Sequence, residues 1–107
     1  MHHITIDAHN LHVLDEKDFY RLTALEIIGQ LLKHNIADGL LNIPMPKNHH
    51  SFLLFLSAIN EVLPHGHAPV LIVLHNPHAL SEHRRERLSS MFSVDHGAMS
   101  RIGLVMA

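Results

Sequence analysis

Val70-Leu71-Ile72-Val73-Leu74, with Pro69 before it and His75-Asn76-Pro77 after it, decides the fold. The run is apolar without alternation, rich in β-branched residues, and too short between its breakers for a buried helix. It therefore reads as a central parallel strand covered on both faces. Downstream, Asn76-Pro77 offers a helix start with Asn as cap and Pro at the first position, and Ser81 offers a second cap. Glu82–Arg87 is entirely charged or histidine and reads as a solvated helix face, with a phosphate or nucleic-acid patch as the other reading. Leu88, Met91 and Phe92 return to the core, Asp95-His96-Gly97 turns the chain, and Arg101–Met106 is a last apolar strand.

Upstream of the central run, Asn48 caps a helix over His49–Leu63, ended by Pro64 and Gly66. Phe52–Leu56 is apolar around most of that helix's circumference, which predicts the most buried helix of the fold. Pro44-Met45-Pro46 stops what precedes it. Gly39–Ile43 reads as a strand or as a packed loop. An earlier helix starts at Asp15, with Glu16 and Asp18 favourable to its amino end and Leu14 placed to staple onto Phe19. Phe19, Leu22, Leu25, Ile28 and Leu31/Leu32 line one face of it, and it ends near His34-Asn35. His3–Asp7 alternates as a strand. Leu11–Leu14 reads as a second short strand or an extended lead-in.

The order is strand, helix, loop, helix, strand, helix, strand. Helical connections between strands require parallel neighbours and right-handed crossovers. The expectation is one α/β domain over residues 1–107, a small, mainly parallel sheet of three to four strands packed with about three helices. Its expected core is Ile4, Ile6, Phe19, Leu22, Phe55, Ile59, Leu71, Val73, Phe92 and Leu104.

Composition narrows the function classes. The chain is 47% hydrophobic and 17% charged, outside the range of disordered chains. It has no cysteine, hence no disulfide frame or thiolate metal site. No apolar run approaches the ~20 residues of a spanning helix, and no signal peptide is visible, so a soluble cytoplasmic protein is expected. A formal charge of −2 argues for neither nucleic acid nor an anionic membrane as partner. Histidine is the exception, at 13 of 107 residues. An unperturbed histidine titrates near about 6.5, so the net charge is expected to rise steeply in mild acid.

The candidate chemistry is sparse. His65, His67, His75 and His78 are imidazoles of the kind that bind zinc, copper or nickel, but no carboxylate-rich motif or HExxH accompanies them. In a chain this rich in histidine they read first as structural or solvated side chains, and no metal is assigned. Asp7 ends the first strand, where α/β proteins place ligands. Ile4–Leu11 is similar to the strand-Asp-x-x-Asn opening of some metal-dependent nucleases, yet the later strand ends offer Asn42, His75 and Ala107 instead of further acids. Ser51 stands beside His49 and His50, but helix neighbours point to different faces and do not form a nucleophile pair. There is no G-x-S-x-G elbow, Walker loop or G-x-G-x-x-G. A non-catalytic binding protein without a cofactor is expected.

Ile4-Thr5-Ile6-Asp7 followed by Asp18-Phe19-Tyr20, then Ile43-Pro44, Asn48–Leu56, the run to Asn76, the Ser81–Asp95 helix and the Arg101–Met106 strand resemble the barstar family. Its members are intracellular inhibitors of barnase-type ribonucleases. The resemblance covers nearly the whole chain as a pattern of apolar and turn positions. It implies an inhibitor or immunity protein whose contact surface is a loop and the start of the second helix: Met45, Lys47, Asn48, His49, His50, Ser51 and Leu54. The family presents acids there to a basic cleft. Here those positions are His50 and Leu54, the aromatic loop is shortened to Met45-Pro46-Lys47, and Ala8 replaces the glycine after Asp7. The resemblance therefore implies a partner other than a basic nuclease: another toxin, a regulator, or a second copy of the chain. A second resemblance, to the STAS domains of anti-anti-sigma factors, rests on Asn42 and on Ser51 at a helix start. It implies a regulatory domain with Ser51 as the phosphorylatable residue, although Asp-Ser-Ser-Gly is reduced to His50-Ser51-Phe52-Leu53.

Overall fold

A computed structural model describes residues 2–11, 15–34, 39–63, 69–91 and 101–107, without the side chains of Leu41 and Met91. Strand β1 (His2–Asp7) leads to helix α1 (Glu16–Lys33) and then α2 (His49–Val62). Strand β2 (Val70–His75), helix α3 (Glu82–Met91) and strand β3 (Ile102–Met106) follow. The strands form one parallel sheet in the order β1-β2-β3, with Ile4 opposite Ile72 and Ile72 opposite Leu104. The Val70 run is the central strand, and the chain is a small α/β protein, as its sequence implies.

The structure corrects the expectation that β2 is covered on both faces. Val70, Ile72 and Leu74 are buried, whereas Leu71 and Val73 are only half-buried. The reason is topological. The strand order advances in a single direction, so crossovers of the same right hand place every connecting helix on the same side. Accordingly Thr23 and Ile27 of α1, Phe52 of α2 and Leu88 of α3 all meet Ile6, Ile72, Leu74 and Leu104. The opposite face carries Leu71, Val73 and Val105, the last 44% exposed. Leu104 is partly buried at the margin of the core.

The buried stripe of α1 is also displaced from the expected one. Tyr20, Thr23, Ala24, Ile27 and Leu31 are buried together with Phe19 and Ile28, while Leu25 and Leu32 are exposed and Leu22 is partly buried. Thr23 and Ala24 are small and let α1 approach the sheet. The Thr23 hydroxyl is satisfied by donating to the Phe19 carbonyl (2.7 Å). Tyr20 packs in the core between Phe19 and Phe52, with ring centroids 5.1 Å from each.

Other boundaries follow local chemistry. Asp15 Oδ1 accepts from the Asp18 N–H (2.8 Å), capping α1. Leu40–Asn42 is a 3-10 turn entered through Gly39 at φ 78°, a left-handed angle that favours glycine, so Gly39–Ile43 is the packed loop rather than a strand. Ala8–Asn10 is another 3-10 turn with Leu11 in a turn after it, and the rest of the Leu11–Leu14 segment lies outside the described residues. Asn76 takes the cap position of a short 3-10 helix with Pro77 first, as expected, but its side chain makes no capping bond there. It stands at φ 56°, and Ser81 caps α3, its Oγ accepting from the Arg84 N–H (3.2 Å). The Leu14 staple, the Asp95-His96-Gly97 turn, Phe92, Pro64 and Gly66 lie outside the described residues.

Two side-chain amides tie helices to the sheet. Gln30 Oε1 accepts from the Thr5 N–H (3.2 Å), and its Nε2 donates to the Thr5 carbonyl (2.7 Å), so α1 closes the open edge of β1 as a peptide would. Asn60 of α2 accepts from the Arg101 N–H (2.9 Å) at the entry to β3.

Candidate functional site

The loop before α2 and the helix's first turns form the expected contact surface. Asn48 Oδ1 accepts from the Ser51 N–H (2.8 Å), and Ser51 Oγ accepts from the Asn48 N–H (3.0 Å) and the Lys47 N–H (2.9 Å). This is a capping box with serine in the place usually held by Glu or Gln. Ser51 thus holds the loop onto the helix. Pro46 is fully buried and anchors the loop from beneath, leaving Met45 39% exposed. Leu54 is 58% exposed, which corrects the expectation of burial around most of this helix. Its neighbours Phe52, Phe55 and Leu56 are buried because only that side of α2 faces the sheet.

Met45 and Leu54 border a shallow groove of about 150 Å³ with Ile43, Pro44, Phe55 and Ala58, and Ser51 stands on its rim. His50 is exposed and lies one turn before Leu54 on the same side of the helix. The two positions corresponding to the resembling family's acids therefore do share an open face, but they carry an imidazole and an isobutyl group. Lys47 and Asn48 are exposed at the loop end. His49 is separated from the groove. It is partly buried on the other side of α2, toward Glu16, His83 and Arg87.

The second candidate, at the carboxyl ends of β1 and β2, is a structural joint. Asp7 Oδ1 accepts from the His9 N–H (3.0 Å) and from Asn76 Nδ2 (3.1 Å), with His9 Nδ1 3.7 Å away. The Asn76 hydrogen bond, aided by the His9 amide, holds the Asp7 carboxyl below its usual range. His9 and His78 meet edge to face at 5.7 Å. Among the described residues no three His, Cys, Asp or Glu side chains are grouped to hold a metal ion. His65 and His67 lie outside the described residues. Among the described residues the strand order does not reverse, so it forms no switch-point crevice of the kind in which open α/β sheets usually bind ligands.

A third cluster is legible in the sequence only in part, through the charged patch read over Glu82–Arg87. Glu16 and Tyr20 from α1 and His83, Arg84 and Arg87 from α3 line a cleft of about 300 Å³. His49, the first residue of α2, lies near enough to Arg87, Glu16 and His83 to feel their charges. The Arg84 guanidinium lies 4.6 Å above the centre of the Phe19 ring. Arg87 Nη1 is 3.7 Å from Glu16 Oε1, a long, solvent-screened pair, and the guanidinium also lies beside the Tyr20 hydroxyl. Burial raises the Tyr20 phenol above its ordinary pKa, against the opposing charge of Arg87. Burial, and then the Arg87 charge, lowers the His49 imidazole, whose buried Nδ1 finds no hydrogen-bond partner among the described residues. The sequence signal was the i, i+3 spacing of Arg84 and Arg87. It points to one helix face but not to what that face meets.

Comparison with protein-family models, curated proteins and solved structures returned no match. No helix among the described residues is long and apolar enough to cross a membrane.

Proposed function

We propose that the chain is a non-catalytic protein-binding module that engages a protein partner through Met45–Leu54. The observation that carries this reading is the pairing of exposed Met45 and Leu54 across an apolar groove, mounted on a capped and anchored helix start. A rigid mount limits the entropy lost on binding, and methionine adapts to irregular partner surfaces. The reading agrees with the location of the contact surface in the barstar family but not with its charge. His50 and Leu54 supply no acid for a basic cleft, so titration against a barnase-type ribonuclease should give no nanomolar inhibition.

Site-specific photocrosslinking in the native host tests the surface directly. A photoreactive residue at Leu54 should give a discrete protein adduct that disappears with Met45→Asp, and the same probe at exposed Ser89 of α3 should not. An adduct with a second copy of the chain would identify the partner as itself. No adduct at position 54, or the same adduct from both positions, refutes the proposal.

A further inference from the structure

Helix α1 carries a second apolar stripe, on the side away from the sheet. Its buried residues, among them Tyr20, Thr23, Ala24, Ile27 and Leu31, set the direction of the core. Leu25 and Leu32 project elsewhere and are 47% and 39% exposed. Gly29 lies between these two leucines and is also exposed. A glycine inside a helix costs stability relative to alanine. The fold of one chain gives no reason for that cost, because a Cβ added at Gly29 would meet nothing within 4 Å. Bare backbone in the middle of an exposed stripe instead suits a second helix crossing closely over it, since the distance between packed helices is set by the side chains at their contact.

The stripe is also self-complementary. At about 100° of turn per residue, Leu25 and Leu32 fall on one flank of Gly29, four residues before it and three after it. Glu26 and Lys33 fall on the other flank, three residues before it and four after it. Neither of these charges has an ion-pair partner among the described residues. A two-fold axis passing beside Gly29 sets α1 antiparallel to α1 of a second copy and keeps each flank opposite its own counterpart. Leu25 then meets Leu32 of the second copy, and Glu26 meets Lys33 of the second copy, each pair level to within about 1.5 Å along the helix. The symmetry makes both contacts twice. Parallel packing would instead set Glu26 against Glu26 and Lys33 against Lys33.

We propose that the chain forms a two-fold symmetric dimer through the exposed face of α1, with the two helices antiparallel and crossing at Gly29. A single helix pair buries no more than the ~1,200 Å² at which stable interfaces begin, so the dimer is weak, with a dissociation constant on the order of 10–100 μM. This surface shares no residue with Met45–Leu54, and the dimer is independent of the partner proposed for that groove.

Sedimentation equilibrium of the full chain from about 5 to 500 μM is the test, and it should show a reversible monomer–dimer equilibrium. Leu32→Glu places a charge in the apolar flank and should weaken the dimer about tenfold or more. Gly29→Ala separates the dimer from the fold of the single chain. It should raise the thermal midpoint of the dilute protein, because alanine favours the helix and the space is open, yet weaken dimerisation about fivefold. Glu26→Lys and Lys33→Glu should each weaken self-association about threefold by setting like charges opposite one another. An equimolar mixture of these two variants restores both ion pairs between chains and should associate within about twofold of wild type. Met45→Asp, on the other surface, should leave the constant within about twofold. Four results overturn the proposal: a monomer at about 500 μM, a dimer unchanged by both Leu32→Glu and Gly29→Ala, a mixture of the charge variants no tighter than either alone, or a loss in Met45→Asp equal to that in Leu32→Glu.

Discussion

Phe52 and Leu54 are two residues apart on one helix, and their truncation separates the buried side of α2 from its open side. Phe52 is 1% exposed. Its ring lies 5.1 Å from Tyr20 and stacks at 5.7 Å on Phe55, and it reaches Ile6, Ile72 and Leu74 of the sheet together with Leu88 of α3. The space among these side chains already includes a small void of about 20 Å³, so alanine would enlarge an existing defect. Its neighbours come from three helices and the sheet and cannot collapse together into the space. Phe52→Ala should therefore cost about 3–5 kcal/mol, and the upper half of that range is favoured by the loss of two ring contacts worth about 0.5–1.5 kcal/mol each. Leu54→Ala leaves most of its surface loss in water and should cost under about 0.5 kcal/mol. Equilibrium unfolding in urea, with the slope checked for constancy, measures both. A Phe52→Ala loss under about 1 kcal/mol, or a Leu54→Ala loss above about 2 kcal/mol, would refute the assignment of faces to α2.

Gln30→Ala removes both hydrogen bonds to Thr5 and should cost about 1 kcal/mol, with faster exchange of the Thr5 amide as the local readout. Asn48→Ala removes the cap of α2 and should cost about 1 kcal/mol by urea unfolding, and an effect indistinguishable from zero would mean that the capping box contributes nothing. His49 binds a proton less readily in the folded chain than in the unfolded one, since burial and Arg87 disfavour the imidazolium. Its contribution to stability is complete above its ordinary value of 6.5 and is lost as pH falls through 6.5 toward the lowered folded value. Wild type should accordingly lose more stability than His49→Gln between about pH 7.5 and 5, and parallel curves would contradict this.

Much of the backbone plan was legible because its signals are local. Asp15 and Asn48 mark helix starts through side chains that reach amides three residues on. Proline and glycine punctuate, and the Val70 run has too few residues between its breakers to be anything but a strand. The face assignments were not. Hydropathy favours Leu22 and Leu25 over Tyr20 and Ala24 because it ranks side chains without regard to how closely α1 approaches the sheet. Leu71 and Val73 read as core residues in the sequence because an apolar strand reads the same whether one face is covered or two. The expected contact residues divide in the same way: Met45, Ser51 and Leu54 meet around one groove, while His49 turns toward another helix.

The sequence by itself determined where α1 and α2 begin and that strands joined through helices run parallel, since each depends on residues within a few positions of one another or on the length of a connection. Only the tertiary structure decided which side of the sheet is covered. That follows from the strand order combined with the fixed hand of the crossovers, and strand order is a long-range choice that no local pattern encodes. The same choice brings the first turns of α1, α2 and α3 to one end of the molecule. Arg84 and Arg87, read in sequence as part of a solvated face, there stand against Phe19, Tyr20 and Glu16, more than sixty residues away along the chain.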